Sequence, residues 1–219
     1  MSSEGSSSTT LSSKSLSHSD MLLQQQLIHV THVVVHIDID YFFAQVEERA
    51  DTSLKGKPFG VQQNMEVAAV NYEARKFGLY NRISVKEALQ LCPNLKLVRG
   101  DNGVNGMQRY RKASHGVLRV VMQCLDRILP AQLRRNWSGR PIETPSFDDI
   151  FVRFDRSMAA AQAQAQGASS AACLSLHAAA SAWSRHVRAE IQRQEHLTCS
   201  AGIASTKLVA VLATKWGKP

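Results

Sequence analysis

The stretch Val33 to Glu47, VVVHIDIDYFFAQVE, restricts the possible folds more than any other part of the chain. A near-continuous apolar run leads into Asp38, Ile39 and Asp40 and then into three aromatic residues. This is the pattern of a buried strand ending in carboxylates, since a surface strand would alternate apolar with polar side chains. The far end of the strand holds charge against an apolar wall. An ionised carboxylate there is costly unless a divalent metal or a Lys or Arg neutralises it. Asp is also a favoured N-cap and AQVEERA reads as helix, so a lone DxD could be explained by capping alone. The second acidic pair, Asp148 and Asp149, again stands just before an apolar segment, IFVRF, and tips the reading toward a charged site.

A chain of 219 residues that is 44% apolar can bury a proper core in one large or two small domains. Its 26 Lys and Arg against 18 Asp and Glu give +8 and a pI near 9.6, which favours a polyanionic partner such as nucleic acid. Cys92, Cys124, Cys173 and Cys199 are scattered without metal-ligand spacing and read as free buried thiols. No apolar run is long enough to span a bilayer, and no signal-peptide core follows a basic start, so no membrane partner is expected. Residues 1 to 20 hold ten serines and almost no large apolar side chains, which predicts a disordered tail reaching to about residue 30. Met21 to Ile28 could add a helical turn or two.

Strands are predicted around Phe59 to Gln62, Val67 to Val70 and Leu95 to Val98. A helical turn runs from Tyr72 to Phe77, stopped by Gly78, and a helix from Val85 to Cys92, stopped by Pro93. Residues 42 to 100 thus form a small mixed lobe inserted after the carboxylate strand. Within it Tyr72, Arg75 and Lys76 could grip a phosphate, Arg supplying a bidentate fork, although such a trio is more often a solvated helix face. A long amphipathic helix starts at Arg109 and ends at Pro130, and the following AQLRRNWSGRP reads as loop. Met158 to Ala172 is a low-complexity Ala/Gln segment, helix or floppy insert. A helix from Leu176 to about His196, a strand Thr198 to Ala204 and a helix in STKLVAVLATKW follow. The expected fold is α/β, with helices on one face of a sheet whose strand ends carry Asp38, Asp148 and Asp149. Carboxylates from neighbouring strands would hold two Mg²⁺ ions, the arrangement that serves phosphoryl transfer.

The blocks HIDIDYFFAQVE, GKPFGVQQ, AAVNYEARKFG, CPNLKLVRGD, YRKAS, SFDDIFV and CSAGIASTKLVAVLATKWGKP occur in that order and resemble the Y-family translesion DNA polymerases from about residue 31 to 219. The resemblance implies a palm from residues 31–41 and 101–219, with the insert at 158–172, and fingers from residues 42–100. The family's thumb and little finger would begin where this chain stops and are expected to be absent from it. It further implies template-directed transfer from a dNTP to a DNA primer-template, with two Mg²⁺ ions or Mn²⁺ in their place. Nuclear localisation and association with other replication or repair proteins are also implied. By position, Asp38 and Asp148 match the metal-binding aspartates, Ile39 the residue whose carbonyl joins the metal shell, and Asp149 an acidic residue that is usually Glu. Phe43 matches the aromatic steric gate against a ribose 2′-hydroxyl, and Phe42 its neighbour. Tyr72, Arg75 and Lys207 match the triphosphate grip, and Gln63 a fingers residue near the templating base.

There are departures from the pattern. The loop between Pro130 and Glu143 is long, the Ala/Gln segment looks inserted, and Thr206 and Val211 stand where Asn and Lys are common. A haloacid-dehalogenase-type phosphatase also opens with a strand ending DxD, but Tyr41, Phe42 and Phe43 do not suit it. A nucleotide cyclase has no use for the NYEARK lobe. The more serious rival is a catalytically weak or inactive palm and fingers remnant that binds nucleotide, DNA or a polymerase partner.

Overall fold

The apolar run forms strand β1, His32–Ile39, at the centre of the larger of two sheets. The computed structural model describes residues 30–99, 106–134, 139–165 and 175–218. The Ser-rich tail, the Met21 to Ile28 run, Cys173 and the second half of the Ala/Gln segment lie outside the described residues. The chain divides into two units, Met1–Thr31 and His32–Pro219, and the second holds every element below.

After β1 come α1, Phe42–Ala50, a 3₁₀ turn at Thr52–Leu54, β2, Phe59–Gln63, and β3, Glu66–Val70. Then follow α2, Tyr72–Arg75, β4, Ile83–Ser84, α3, Val85–Leu91, and β5, Lys96–Arg99. The chain continues with α4, Gln108–Asp126, α5, Ala131–Arg134, β6, Ile142–Glu143, and β7, Asp149–Asp155. It closes with α6, Arg156–Ala165, α7, Leu176–Glu195, β8, Cys199–Ala204, and α8, Lys207–Trp216. The expected α/β class and palm-type sheet are present. The AQLR segment, expected as loop, is the short helix α5, and the two-residue strands β4 and β6 were not anticipated.

The larger sheet has the order β6-β7-β1-β8, with β1 antiparallel to both neighbours. Val33, Val35 and Ile37 point to one face and are fully buried. Helix α7 covers that face, its Trp183 ring lying 5.8 Å from Phe154 of β7, and α4 packs on α7. Trp183 is 1% exposed, a burial worth roughly 3 kcal/mol or more if truncated to Ala.

The layering departs from the single helical face that was expected, because α8 lies on the opposite face. There Val34, Ala204 and Ala210 form one apolar cluster with Phe151. Gly202 on β8 makes this approach possible. A Cβ built at Gly202 would collide with the Ala210 carbonyl oxygen and come within 2.5 Å of the Thr214 backbone nitrogen. A strand apolar on both faces needs cover on both, and α8 supplies the second.

The smaller sheet, β4-β3-β2-β5, carries its own core of Val67, Val70, Ile83, Ala88, Cys92 and Leu95. It joins α1 through Ala44, Leu54, Phe59 and Val61. Asn71 fixes the turn into α2. Its buried side chain accepts from Ala74 N at 3.0 Å and Phe59 N at 3.1 Å and donates to the Lys57 carbonyl at 2.9 Å. Cys92, Cys124 and Cys199 are free and buried as expected. No described helix is long and apolar enough to cross a membrane.

Candidate active site

Asp38 stands at the end of β1, in register with Asp149 of β7 on one side and Ser200 of β8 on the other. Asp148 immediately precedes β7, and its carbonyl accepts from Ile39 N at 3.1 Å. Residues 110 positions apart in sequence are thus drawn to one strand end by the sheet's own hydrogen bonds. The capping alternative for Asp38 and Asp40 is not used. The N-cap of α1 is Tyr41, in the left-handed region at φ 32°, with no side-chain cap bond. A non-glycine residue there is uncommon and costs about 1–3 kcal/mol, which the surrounding packing must offset.

The carboxylates have distinct partners. Lys218 Nζ lies 2.9 Å from Asp38 Oδ1 and 3.6 Å from Asp40 Oδ1. Asp40 is buried and accepts from Thr198 Oγ1 at 3.0 Å and Ser200 Oγ at 2.8 Å. Asp149 Oδ1 meets the Nε2 of buried His36 at 2.9 Å. The Ser146 hydroxyl lies 2.7 Å from Asp148 Oδ1 and 2.8 Å from Asp149 Oδ2, bridging the pair. Burial pushes the Asp148 carboxyl above the ordinary Asp range, Ser146 offsets part of this, and the charges of Asp149 and Asp38 add to the rise. The His36 hydrogen bond holds Asp149 below that range against its own burial.

Among the described residues, no three carboxylate, imidazole or thiol groups stand close enough to hold an ion as they are. The partners account for this: Asp149 is turned to His36, and Asp38 is paired with an ammonium. The residues nevertheless fit a hard divalent cation. The donors are all oxygen, the Lys218 ammonium stands as a positive charge against Asp38, and Asp148 is short of neutralising charge.

A cleft of about 460 Å³ opens at this strand end, lined among others by Asp38, Ile39, Asp148, Phe43, Arg75 and Lys218. Phe42 and Phe43 form one wall. The Phe43 ring packs edge-on to Tyr110 at 4.8 Å, and the Phe42 ring stacks over Phe147 at 6.5 Å. The hydroxyl of Tyr72 is buried and faces Asp40. Burial, together with the nearby charge of Asp40, raises its pKa. The Arg75 guanidinium carbon lies 5.3 Å from the centre of the Tyr72 ring.

Of the residues expected in the site, Asp149 and Tyr72 stand behind the cleft without lining it, and two more lie elsewhere. Lys207 pairs with Glu143 at 2.5 Å and lies over Phe151. It lines a separate cavity of about 490 Å³ with His32 and Arg153, which none of the three carboxylates borders. Gln63 is exposed at the β2–β3 hairpin and does not line the cleft. The groups that sequence reading passed over are His36, Ser146 and Lys218; Asp40 was read as part of the DxD but given no role of its own. A signal for His36 was available: it is a polar residue in an apolar strand, two positions before Asp38 and so on the same face. Nothing local in the sequence singles out Lys218.

A carboxylate-bearing palm-type sheet beside a small second sheet is the architecture that the resemblance implied. The chain belongs to the family described as the impB/mucB/samB family, whose match covers residues 37–215. It is 30% identical to DNA polymerase IV of Streptococcus agalactiae, the alignment covering 91% of this chain and 47% of that protein. It is 32% identical to DNA polymerase iota of Homo sapiens, over 86% of this chain and 26% of that one. DNA polymerase IV of Staphylococcus aureus is 31% identical, over 85% and 44% respectively. The chain therefore spans half or less of the length of these relatives. The expectation of a nuclear protein is overturned, because relatives this similar come from Streptococcus and Staphylococcus, bacteria without a nucleus.

Proposed function

We propose that this chain is the palm and fingers of a translesion DNA polymerase, transferring a nucleotidyl group from a dNTP to a DNA primer. The observation that carries the reading is a single cleft in which Asp38 and Asp148 meet the Phe42 and Phe43 wall and the cations Arg75 and Lys218. That combination suits a substrate with a base and sugar at one end and a polyanion at the other. The names of the relatives favour it over a non-catalytic remnant.

Residues 31–41 and 101–219 serve as palm and residues 42–100 as fingers. Asp38 and Asp148, with Asp149 and the Ile39 carbonyl, would hold Mg²⁺ or Mn²⁺. Such ions, when bound, stabilise the attacking and leaving oxygens of an in-line displacement. Arg75 and Lys218 neutralise the triphosphate, Arg75 through its planar fork and Lys218 as a point charge, and the Tyr72 hydroxyl donates to a phosphate oxygen. Lys218 takes the role that the resemblance gave to Lys207. Phe43 lies beneath the sugar, where its ring excludes a 2′-hydroxyl. Burial and then charge crowding raise the Asp148 carboxyl's affinity for a proton, and a bound cation would relieve the crowding.

The test is primer extension by the 219-residue chain on a primer-template with dNTPs and Mg²⁺, alongside binding of a fluorescent dNTP analogue. Extension or Mg²⁺-dependent nucleotide binding that disappears in Asp38→Ala and Asp148→Ala supports the reading. Nucleotide binding indifferent to both substitutions would overturn it.

A further inference from the structure

His36 is a polar ring between the apolar Val35 and Ile37 of β1, 1% exposed. Burying it is costly unless both ring nitrogens are satisfied, and both are. Nδ1 bonds with Thr214 Oγ1 at 2.8 Å, and Nε2 with Asp149 Oδ1 at 2.9 Å. Thr214 is itself anchored, donating to the Ala210 carbonyl at 2.8 Å. Phe151 stacks on the imidazole with ring centres 4.5 Å apart and leaves it little freedom to turn.

These contacts form a chain. Thr214 holds His36, His36 holds one oxygen of Asp149, and Ser146 holds the other while also touching Asp148. The core of α8 is thereby tied to two of the three carboxylates. A hydrophobic residue at position 36 would pack equally well against Phe151, so packing alone does not account for an imidazole there.

We propose that His36, oriented by Thr214, is a positioning residue that fixes the Asp149 carboxylate and thereby sets the affinity of the Asp38 and Asp148 pair for a divalent cation. The inference rests on the polymerase reading. It assigns no chemistry to the imidazole, which does not touch substrate. An orienting group behind a carboxylate changes metal affinity by about 10- to 100-fold when removed.

The experiment measures Mn²⁺ affinity of the full chain from the free-ion electron paramagnetic resonance signal. His36→Phe, which keeps the stacking on Phe151 and loses both hydrogen bonds, should bind Mn²⁺ about tenfold more weakly. Asp149→Asn should also weaken binding, and the double variant should bind no more weakly than Asp149→Asn alone, because the ring acts only through that carboxylate. His36→Gln, whose amide nitrogen can still donate to Asp149, should restore most of the affinity. Thr214→Val should shift it in the same direction as His36→Phe and carries the comparison if His36→Phe does not fold by circular dichroism. Mn²⁺ binding that requires Asp38 but is unchanged in His36→Phe and Thr214→Val, or a double variant whose losses simply add, overturns this inference alone. Mn²⁺ binding indifferent to Asp38→Ala overturns the polymerase reading and the inference with it.

Discussion

Asp38 and Asp149 face one another across the β1–β7 pair, yet each carboxylate is turned to a different partner, Asp38 to Lys218 and Asp149 to His36, both at 2.9 Å. Neighbouring negative charges at one strand end are tolerated because a separate element answers each of them. The following outcomes are expected from that arrangement.

Lys218→Met should weaken dNTP binding by about tenfold or more, since a charge-assisted contact is worth about 1.5–3 kcal/mol. Lys207→Met, whose ammonium is paired with Glu143 at the other cavity, should leave it nearly unchanged. Fluorescence titration of both variants with one dNTP analogue makes the comparison. Equal losses would return Lys207 to the triphosphate.

Phe43→Ala should raise the efficiency of ribonucleotide use relative to deoxyribonucleotide by ~10-fold or more in primer extension. The ring is held edge-on by Tyr110, so it cannot easily swing from a hydroxyl. A uniform fall with both sugars would mark Phe43 as packing for Tyr110 and Phe147.

Gly202→Ala should destabilise the fold by about 1–3 kcal/mol, because the new methyl group meets backbone atoms of α8 that cannot rotate away. Chemical denaturation monitors the loss. A neutral result would mean that α8 rides on β8 more loosely than the Ala210 and Thr214 approach indicates.

The two adjacent aspartates should give opposite pH signatures. Asp148 binds its proton more tightly folded than unfolded, so it costs stability as pH climbs from about 3.9 through its raised folded value. Asp149 binds its proton less tightly folded, so it contributes stability that is lost as pH falls through its lowered folded value. Asp148→Asn should therefore melt above the parent at pH 7 and Asp149→Asn below it. Both differences should shrink toward about pH 3, where the carboxyls are increasingly protonated. Scanning calorimetry across that range reads both signs.

What the sequence made legible follows from how local each signal is. β1 was readable because little besides a buried strand accommodates a long apolar run ending in carboxylates, and the helical turn after Asn71 because Gly78 stops it. The position of α8 was not readable from its own residues. Its place on the second face depends on Gly202, a residue with no side chain to announce the contact. β1 did offer a hint, since a strand apolar at successive positions needs cover on both sides. Strands β4 and β6, at two residues each, are too short to show any period. Lys218 was passed over for a geometric reason. Lys207 opens α8 and Lys218 follows two residues past its end, with about 15 Å of helix between them at 1.5 Å per residue, and only the docked helix decides which end reaches the carboxylates.

The position of β1 between β7 and β8 also has a consequence for how the chain is made. Val34 pairs with Arg153 on one edge and with Ala204 on the other, so its second edge waits for a partner synthesised about 170 residues later. At ordinary elongation rates that interval is roughly ten to thirty seconds. During it, an apolar strand with an open hydrogen-bonding edge is exposed on the ribosome, the kind of segment that recruits a chaperone or another nascent chain. Asp38 and Asp148 can be brought together by β7 alone, but Thr214, which bonds the His36 ring, arrives only with α8. A half-made chain therefore has Asp38 long before it has Lys218, the ammonium that answers its charge.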